Sequence, residues 1–345
     1  MHDFARSIVR WQRQHGRRGM PWQGVRDPYR VWLSEVMLQQ TQVDAASAYY
    51  RKFVARFPDL RSLARAPEDE VLRLWSGLGY YARARNLHAA ARELVDARAG
   101  RFPRSAEALA ALPGIGRSTA AAIAVFAFGR KAAILDGNVK RVLARCFGIA
   151  GFPGEAAVER QLWTLAERLV RVRSVRAYTQ GLMDLGATVC RRARPLCGVC
   201  PVAACCVAKR DGRIAQLPAP RPRKTTPLRK ARWLIALHAG RVLLERRPPS
   251  GLWGGLWTFP EARGGDARSL GRAIGCEIAS LHRLPPLEHG FTHFRLRAQP
   301  LLCEVRHCTP RAEQAGRLWL DVADAVHSAV PVPVRNLLRQ LAAKP

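Results

Sequence analysis

Cys190-Arg191-Arg192-Ala193-Arg194-Pro195-Leu196-Cys197-Gly198-Val199-Cys200-Pro201-Val202-Ala203-Ala204-Cys205-Cys206 is the most informative stretch of this chain. Six residues separate Cys190 from Cys197, two separate Cys197 from Cys200, and five separate Cys200 from Cys206. Thiolates suit zinc or an iron–sulfur cluster, and four complete either site. Cys is also a common core residue. Core thiols rarely bunch this closely among arginines and a proline, so a metal loop is the better reading. Cys205 directly precedes Cys206, and either sulfur could close the set. Spacing alone does not choose between zinc and iron.

The surroundings of this loop are strongly basic. The 345 residues carry a formal charge of +31. Such a surplus calls for a polyanionic partner, most simply nucleic acid. A genome favouring Arg and Ala codons would explain Arg over Lys, but not the scarcity of acids. From Arg191 to Arg232 the only acidic residue is Asp211. No run is apolar for long enough to span a membrane. The opening Met1-His2-Asp3-Phe4-Ala5-Arg6 lacks the apolar core of a signal peptide. Cys146, Cys276, Cys303 and Cys308 show no disulfide-like framework, which fits a reducing compartment.

The chain is long enough for two domains, each with its own core. From about Phe4 to Arg210 the pattern is mostly helical, punctuated by Gly and Pro. A helix is predicted from Asp27-Pro28 through Leu38, a Gly-rich turn over Gly77 to Tyr80, and helices over Arg104 to Ala111 and Ser118 to Phe128. Gln216 to Thr226 is Pro-rich and reads as a stiff linker. Beyond it, Arg232 to Ala239 and Arg241 to Arg246 predict a hairpin split at Gly240. Further strands are expected over Phe291 to Leu296 and Gln299 to Val305, with helices over Ser269 to Ile274 and Pro333 to Leu341.

Leu112-Pro113-Gly114-Ile115-Gly116 sits between two predicted helices. Its glycines permit unusual backbone angles and let amide N–H groups approach a phosphate, with the next helix offering its positive N-terminus. Such a clamp reads no base sequence. Five residues alone also describe an ordinary helix–helix turn. Further on, Asp136 in Ile134-Leu135-Asp136-Gly137-Asn138-Val139-Lys140-Arg141 precedes a predicted helix start. Asp in that place usually caps a helix. It also places an anion where a developing cation could be stabilised, and both roles can hold at once.

The helical hairpin, the segment around Asp136 and Cys-x6-Cys-x2-Cys-x5-Cys together resemble the endonuclease III superfamily of base-excision DNA glycosylases. The resemblance implies a 4Fe–4S cluster on Cys190, Cys197, Cys200 and Cys206, with Cys205 a bystander. Bifunctional members carry Lys just after the Gly-Arg pair of the hairpin. Here Gly116-Arg117 is followed by Ser118, whose hydroxyl cannot form an imine, so no strong lyase is expected. Lys140 is the nearest other amine and is expected to give weak trapping at most.

Three further stretches narrow the resemblance to the MutY family of adenine DNA glycosylases. They are Trp32-Leu33-Ser34-Glu35-Val36-Met37-Leu38-Gln39-Gln40-Thr41-Gln42, Gly77-Leu78-Gly79-Tyr80-Tyr81-Ala82-Arg83-Ala84-Arg85-Asn86-Leu87, and Arg247-Pro248-Pro249-Ser250-Gly251-Leu252-Trp253-Gly254-Gly255-Leu256-Trp257. The expected architecture is a mostly α helix–hairpin–helix glycosylase domain with an iron–sulfur loop, plus an α+β Nudix-like C-terminal domain. The expected bounds are 1–214, including the loop over 190–206, a linker over 215–230, and 231–345. A monomeric, cytoplasmic and nucleoid-associated bacterial protein is expected.

Glu35 is notable without any resemblance. Its same-face helical neighbours are Val31, Trp32, Leu38 and Gln39, three of them apolar. Such a setting disfavours the carboxylate and keeps a proton available. A surface Glu on an amphipathic helix is the commoner case. The resemblance implies excision of adenine opposite 8-oxoguanine or guanine, with the adenine flipped out of the duplex. Glu35 would protonate it at N7, Asp136 would stabilise the oxocarbenium-like sugar or briefly bond to it, and Asn138 would orient the site. Some members carry a helping Tyr where Ser118 stands, and Ser is another family choice. Gln40 and Tyr80 match residues that fill the helical stack near the lesion. On their own they read as a helix-surface Gln and a core Tyr. Leu112, Gly114, Gly116 and Arg191 are the expected DNA contacts, and Arg192 and Arg194 add positive charge beside the cluster.

In the C-terminal part, Gly264 to Gly275 lacks the paired glutamates that a Nudix magnesium site needs. No nucleotide pyrophosphatase activity is expected. Phe291-Thr292-His293 resembles the family's Phe-Ser-His loop that contacts 8-oxoguanine, with Thr keeping the hydroxyl. A plain β-strand would explain the same three residues. Rival readings are a bifunctional endonuclease III-like lyase, a non-catalytic iron–sulfur DNA-binding protein and a nucleotide-pool hydrolase. Ser118, the joint presence of Glu35 and Asp136, and the missing acidic helix argue against them in turn.

Overall fold

The computed structural model describes residues 2–222, 225–262, 264–309, 312 and 314–343. Residues 223 and 224 of the Pro-rich stretch lie outside these. The chain divides into two compact units, Met1–Arg65 with Asn86–Arg223, and Ala66–Arg85 with Lys224–Pro345.

The helices of the first half are α1 His2–His15, α2 Pro28–Leu38, α3 Val43–Arg56, α4 Leu60–Arg65, α5 Glu68–Trp75, α6 Ala82–Arg98, α7 Ala106–Ala110, α8 Arg117–Phe126, α9 Gly137–Phe147, α10 Ala156–Leu169, α11 Val175–Thr188 and α12 Val207–Arg210. Several starts have a local cause. The Asp27 side chain caps α2 by accepting from Arg30 N at 2.9 Å, with Pro28 in the first turn. Ser105 caps α7 through Ala108 N at 3.2 Å. Gly148, at φ 69°, ends α9 in the left-handed conformation that Gly tolerates best. The core of the first unit gathers Ile8, Val125, Leu135, Val139, Val142, Leu143, Leu162, Leu182 and Leu185. Among the described residues, no helix is long and apolar enough to cross a membrane.

The second unit is built on a seven-stranded mixed sheet. Its elements are β1 Leu228–His238, β2 Arg241–Arg246, β3 Trp257–Thr258, α13 Ala267–Ile274, β4 Cys276–Arg283, β5 Leu287–Gly290, β6 Arg295–Cys308, β7 Arg317–Asp321, α14 Val322–His327 and α15 Val332–Ala342. The strand order is β3-β2-β1-β6-β4, with β5 paired to β6 and β7 to β2. β1 and β6 run parallel from Leu228 opposite Arg295 to Leu237 opposite Glu304, and the other pairings are antiparallel. Leu234, Leu243, Leu270, Ile274, Leu301 and Val305 fill its core.

The hairpin at Gly240 forms as predicted, turned by Ala239 and Gly240 at φ 49° and 75°. One expectation fails. Phe291 to Leu296 and Gln299 to Val305 are not two strands but the tip and body of one hairpin. Phe291 N donates to Phe294 O at 2.9 Å, so Thr292 and His293 form a two-residue turn before the long strand β6. Pro300 remains inside that strand.

Candidate active site

Two carboxyls, on α2 and at the start of α9, form the candidate site of the helical unit. α2 buries Tyr29, Val31, Trp32, Leu33, Val36 and Met37, so the Glu35 carboxyl is carried deep among protein atoms. Part of the residue still reaches accessible surface, which leaves the group buried but approachable. Burial pushes its pKa up from 4.5 to about 8, and the negative charge of Asp136 adds to the rise. Glu35 therefore holds its proton at neutral pH.

Asp136 caps α9, its Oδ1 accepting from Val139 N at 2.7 Å. Burial raises its pKa as well. The backbone N–H groups of Val139 and Asn138 and the charges of Arg141 and Arg17 oppose that rise. Burial thus favours the neutral form of both carboxyls, and at Asp136 donors and cations oppose that shift without reversing it. An acid beside a carboxylate can protonate a leaving group while stabilising the cation left behind.

The supporting shell was only partly anticipated. Ser118 Oγ accepts from Leu135 N at 3.1 Å, tying α8 to the strand of chain that ends at Asp136. Asn138 Oδ1 accepts from Arg141 Nη2 at 2.7 Å, and the same guanidinium donates to Gly186 O and Cys190 O, each at 2.7 Å. Gly186 lets α11 pack against the start of α9, since a Cβ there would lie 2.6 Å from Asn138 Cβ. Arg145, one turn further along α9 and 4% exposed, donates to Arg191 O, Arg192 O and Leu217 O. Sequence reasoning passed over Arg141 and Arg145. Their spacing of one helical turn was visible, but nothing in it separates a buried guanidinium from a solvated one. Lys140 is held elsewhere, with its ammonium 2.6 Å from Glu159 Oε1 on α10.

The hairpin between α7 and α8 buries its apolar residues and exposes its glycines. Leu112 and Ile115 are buried, so Leu112 anchors the turn from below rather than facing outward. Gly114 has φ 72°, and a Cβ there would meet Asn86 Cβ at 2.5 Å. Gly116 is exposed at the start of α8, with open space where a side chain would lie. Gln40 lies just past the end of α2, exposed and at φ 58°, rather than on a helix surface. Positive φ at a non-Gly residue is uncommon and concentrates at functional positions.

Cys190, Cys197, Cys200 and Cys206 all line one cavity, together with Val142, Leu185, Val189, Leu196, Val202 and Ile214. Among the described residues, no three His, Cys, Asp or Glu side chains converge on a single-ion point. Thiols around one apolar cavity are a donor set that fits an iron–sulfur cluster or a zinc ion. Arg191, Arg192 and Arg194 of the same loop are exposed.

A second group of residues lies in the sheet-containing unit. Tyr80, 47% exposed and at φ 49°, is no core residue. Its hydroxyl is 2.6 Å from Thr292 Oγ1 at the tip of the β5–β6 hairpin. Below that tip Phe291 and Phe294 stack at 4.4 Å, with the Arg229 guanidinium 4.3 Å above the Phe294 ring and His289 edge-on to Phe291 at 4.6 Å. Thr292 and His293 are both exposed.

Comparison with known proteins places the chain in a family. The profile of the HhH-GPD superfamily base excision DNA repair protein family matches residues 33–168, and that of the NUDIX domain matches residues 232–340. An adenine DNA glycosylase of Buchnera aphidicola subsp. Acyrthosiphon pisum is 33% identical over 337 residues, 97% of this chain and 96% of the relative. The chain belongs to the adenine DNA glycosylase family. A human adenine DNA glycosylase is 34% identical, over 97% of this chain and 73% of the relative. A solved thermostable thymine-DNA glycosylase is 32% identical with a TM-score of 0.54, covering 60% of this chain and 95% of that one. An endonuclease III–DNA complex, 20% identical with a TM-score of 0.50 over 61% of this chain and 94% of that one, shares the fold. This family member is a DNA-binding base-excision glycosylase, a hydrolase of N-glycosidic bonds. Family membership implies an iron–sulfur cluster, and the cavity lined by Cys190, Cys197, Cys200 and Cys206 fits one.

Proposed function

We propose that this glycosylase removes adenine mispaired with 8-oxoguanine, or with guanine, from duplex DNA. The observation that carries the chemistry is the Glu35 carboxyl, held protonated to about pH 8 with the Asp136 carboxyl close enough to raise it further. Adenine must leave the stack to reach a buried acid. Glu35 then protonates the flipped base at N7, and the glycosidic bond breaks as electrons move into the neutral leaving group. Asp136 stabilises the oxocarbenium-like sugar. Glu35, now a carboxylate, takes a proton from the water that adds to that sugar. Asn138, fixed by Arg141, orients the pocket. The Ser118 hydroxyl accepts from Leu135 N and so retains its own proton for a ligand.

The hairpin amides at Gly114 and Gly116 and the exposed Arg191 hold phosphates, while Gln40 and Tyr80 each reach the helical stack near the lesion. The Thr292–His293 tip reads the opposite base. We assign catalysis to a module over 1–214 and base reading to one over 231–345, joined through 215–230. Residues 66–85 pack with the second compact unit. The protein is assigned as a monomer of the bacterial cytoplasm, working on the nucleoid.

A single-turnover assay with adenine opposite 8-oxoguanine, guanine and thymine tests this reading. Excision is expected with the first two and is expected to fall by about tenfold or more opposite thymine, as for a lost pair of hydrogen bonds to the opposite base. Equal rates on all three would remove the assigned specificity.

Cys190, Cys197, Cys200 and Cys206 would hold a 4Fe–4S cluster, which orders the loop presenting Arg191 and takes no part in bond cleavage. Iron analysis of the purified protein is expected to give about four irons per chain with visible absorption. Stoichiometric zinc without colour would exclude the cluster.

A further inference from the structure

We propose that Cys276 and Cys308 form a reversible oxidative cross-link site in the C-terminal unit. β4 begins at Cys276 and β6 ends at Cys308, and the two stand directly opposite in the antiparallel register. Thr309 donates to Gly275 O through its N–H and its hydroxyl, both at 2.9 Å. The adjoining pair, Cys276 and Cys308, therefore takes the non-hydrogen-bonded position, where facing side chains approach most closely. Their sulfurs are 3.6 Å apart. A disulfide needs about 2.05 Å, so small side-chain rotations close the gap without moving the strands.

The two thiols differ in access. Cys308 is partly exposed, whereas Cys276 is 8% exposed. Burial and the contact with Cys308 push the Cys276 thiol up to about 12, and the Arg317 guanidinium nearby works against that rise. Cys308, the more accessible of the two, is the thiol that reacts first. With a low-molecular-weight disulfide such as oxidised glutathione, the Cys308 thiolate attacks one sulfur and releases one glutathione thiolate. Cys276 gives its proton to solvent and attacks Cys308 Sγ, releasing the second glutathione. Two protein thiols are oxidised and one small disulfide is reduced to two thiols.

The consequence lies in what the bond encloses. The ring spans residues 277–307, which include β5, the Thr292–His293 tip and the stacked Phe291 and Phe294. Closing a chain segment restricts the unfolded state and stabilises the fold around it. An oxidising shift thus staples the domain that carries this hairpin, whichever base the tip reads.

The test uses the full-length protein, incubated with oxidised glutathione, alkylated, and digested without reductant. The expected product is a peptide joining Cys276 to Cys308, about 2 Da lighter than the paired thiols. The melting transition of the C-terminal unit is expected to rise by about 5 °C or more and to return with dithiothreitol. In Cys276→Ser the reaction is expected to stop at a Cys308–glutathione adduct with no such rise, and in Cys308→Ser to leave Cys276 free. Wild-type protein in which both cysteines remain alkylated overturns the proposal, as does wild-type protein that keeps glutathione on Cys308 beside a free Cys276.

Discussion

Glu35→Gln is expected to abolish adenine excision while making the protein more stable at neutral pH. The side chain keeps its shape and loses only the transferable proton. Removal of a general acid costs about 10²–10⁴-fold in rate, and single-turnover excision should fall within or beyond that range. Binding to the mispaired duplex should persist. The stability gain follows from the raised pKa. A carboxyl at about 8 in the folded protein and 4.5 when unfolded stays protonated at pH 7 where the unfolded chain is ionised. That difference costs about 3 kcal/mol of folding free energy, as an order of magnitude. The contribution of Glu35 is fully present below pH 4.5 and is lost as pH rises toward about 8. The advantage of the Gln variant should therefore be small at pH 4 and largest above about pH 8. The same carboxyl sets the basic limb of the wild-type rate profile, with excision falling as pH passes about 8. Retention of a substantial excision rate by Glu35→Gln would show that another group supplies the proton.

Asp136→Asn separates the two roles of that residue. Asn caps helices about as well as Asp, so the bond from Val139 N is expected to survive and the melting temperature to change little. The anion is lost, and with it the stabilisation of the sugar cation. Loss of one such preorganised interaction costs about 10²–10³-fold. Asp136→Ala should lose a similar factor in rate and about 1 kcal/mol of stability besides. A further sign is specific to the pairing of the two carboxyls. Since the Asp136 charge helps raise the Glu35 pKa, its removal should move the basic limb of the pH profile to lower pH. Full activity in Asp136→Asn, or an unmoved limb in the residual activity, would separate Asp136 from the chemistry.

Several features were legible because short-range physics fixes them. Asp27 before Pro28 specifies a helix start, Asp136 before Gly137 specifies another, and both caps form. The thiol spacing brought Cys190, Cys197, Cys200 and Cys206 to one cavity, which Cys146 also lines. The Gly-rich turn near Gly77 was visible, but the outward placement of Tyr80 was not. Helical and strand periodicity carries no term for a left-handed residue that swings a ring to the surface. The Phe291–Thr292–His293 segment misled for a related reason. Aromatic and β-branched residues favour a strand, yet the bond between Phe291 N and Phe294 O makes the middle two a turn.

Local sequence determined the two carboxyl-bearing segments, the hairpin glycines and the thiol set, since each depends on residues a few positions apart. The apolar neighbours on α2 pointed to a retained proton at Glu35, and the folded chain decided how far its pKa rises. Its pKa depends on burial by distant helices and on the charge of Asp136, a hundred residues away in sequence. Desolvation and Coulomb energies depend on distance in space, which sequence spacing does not record.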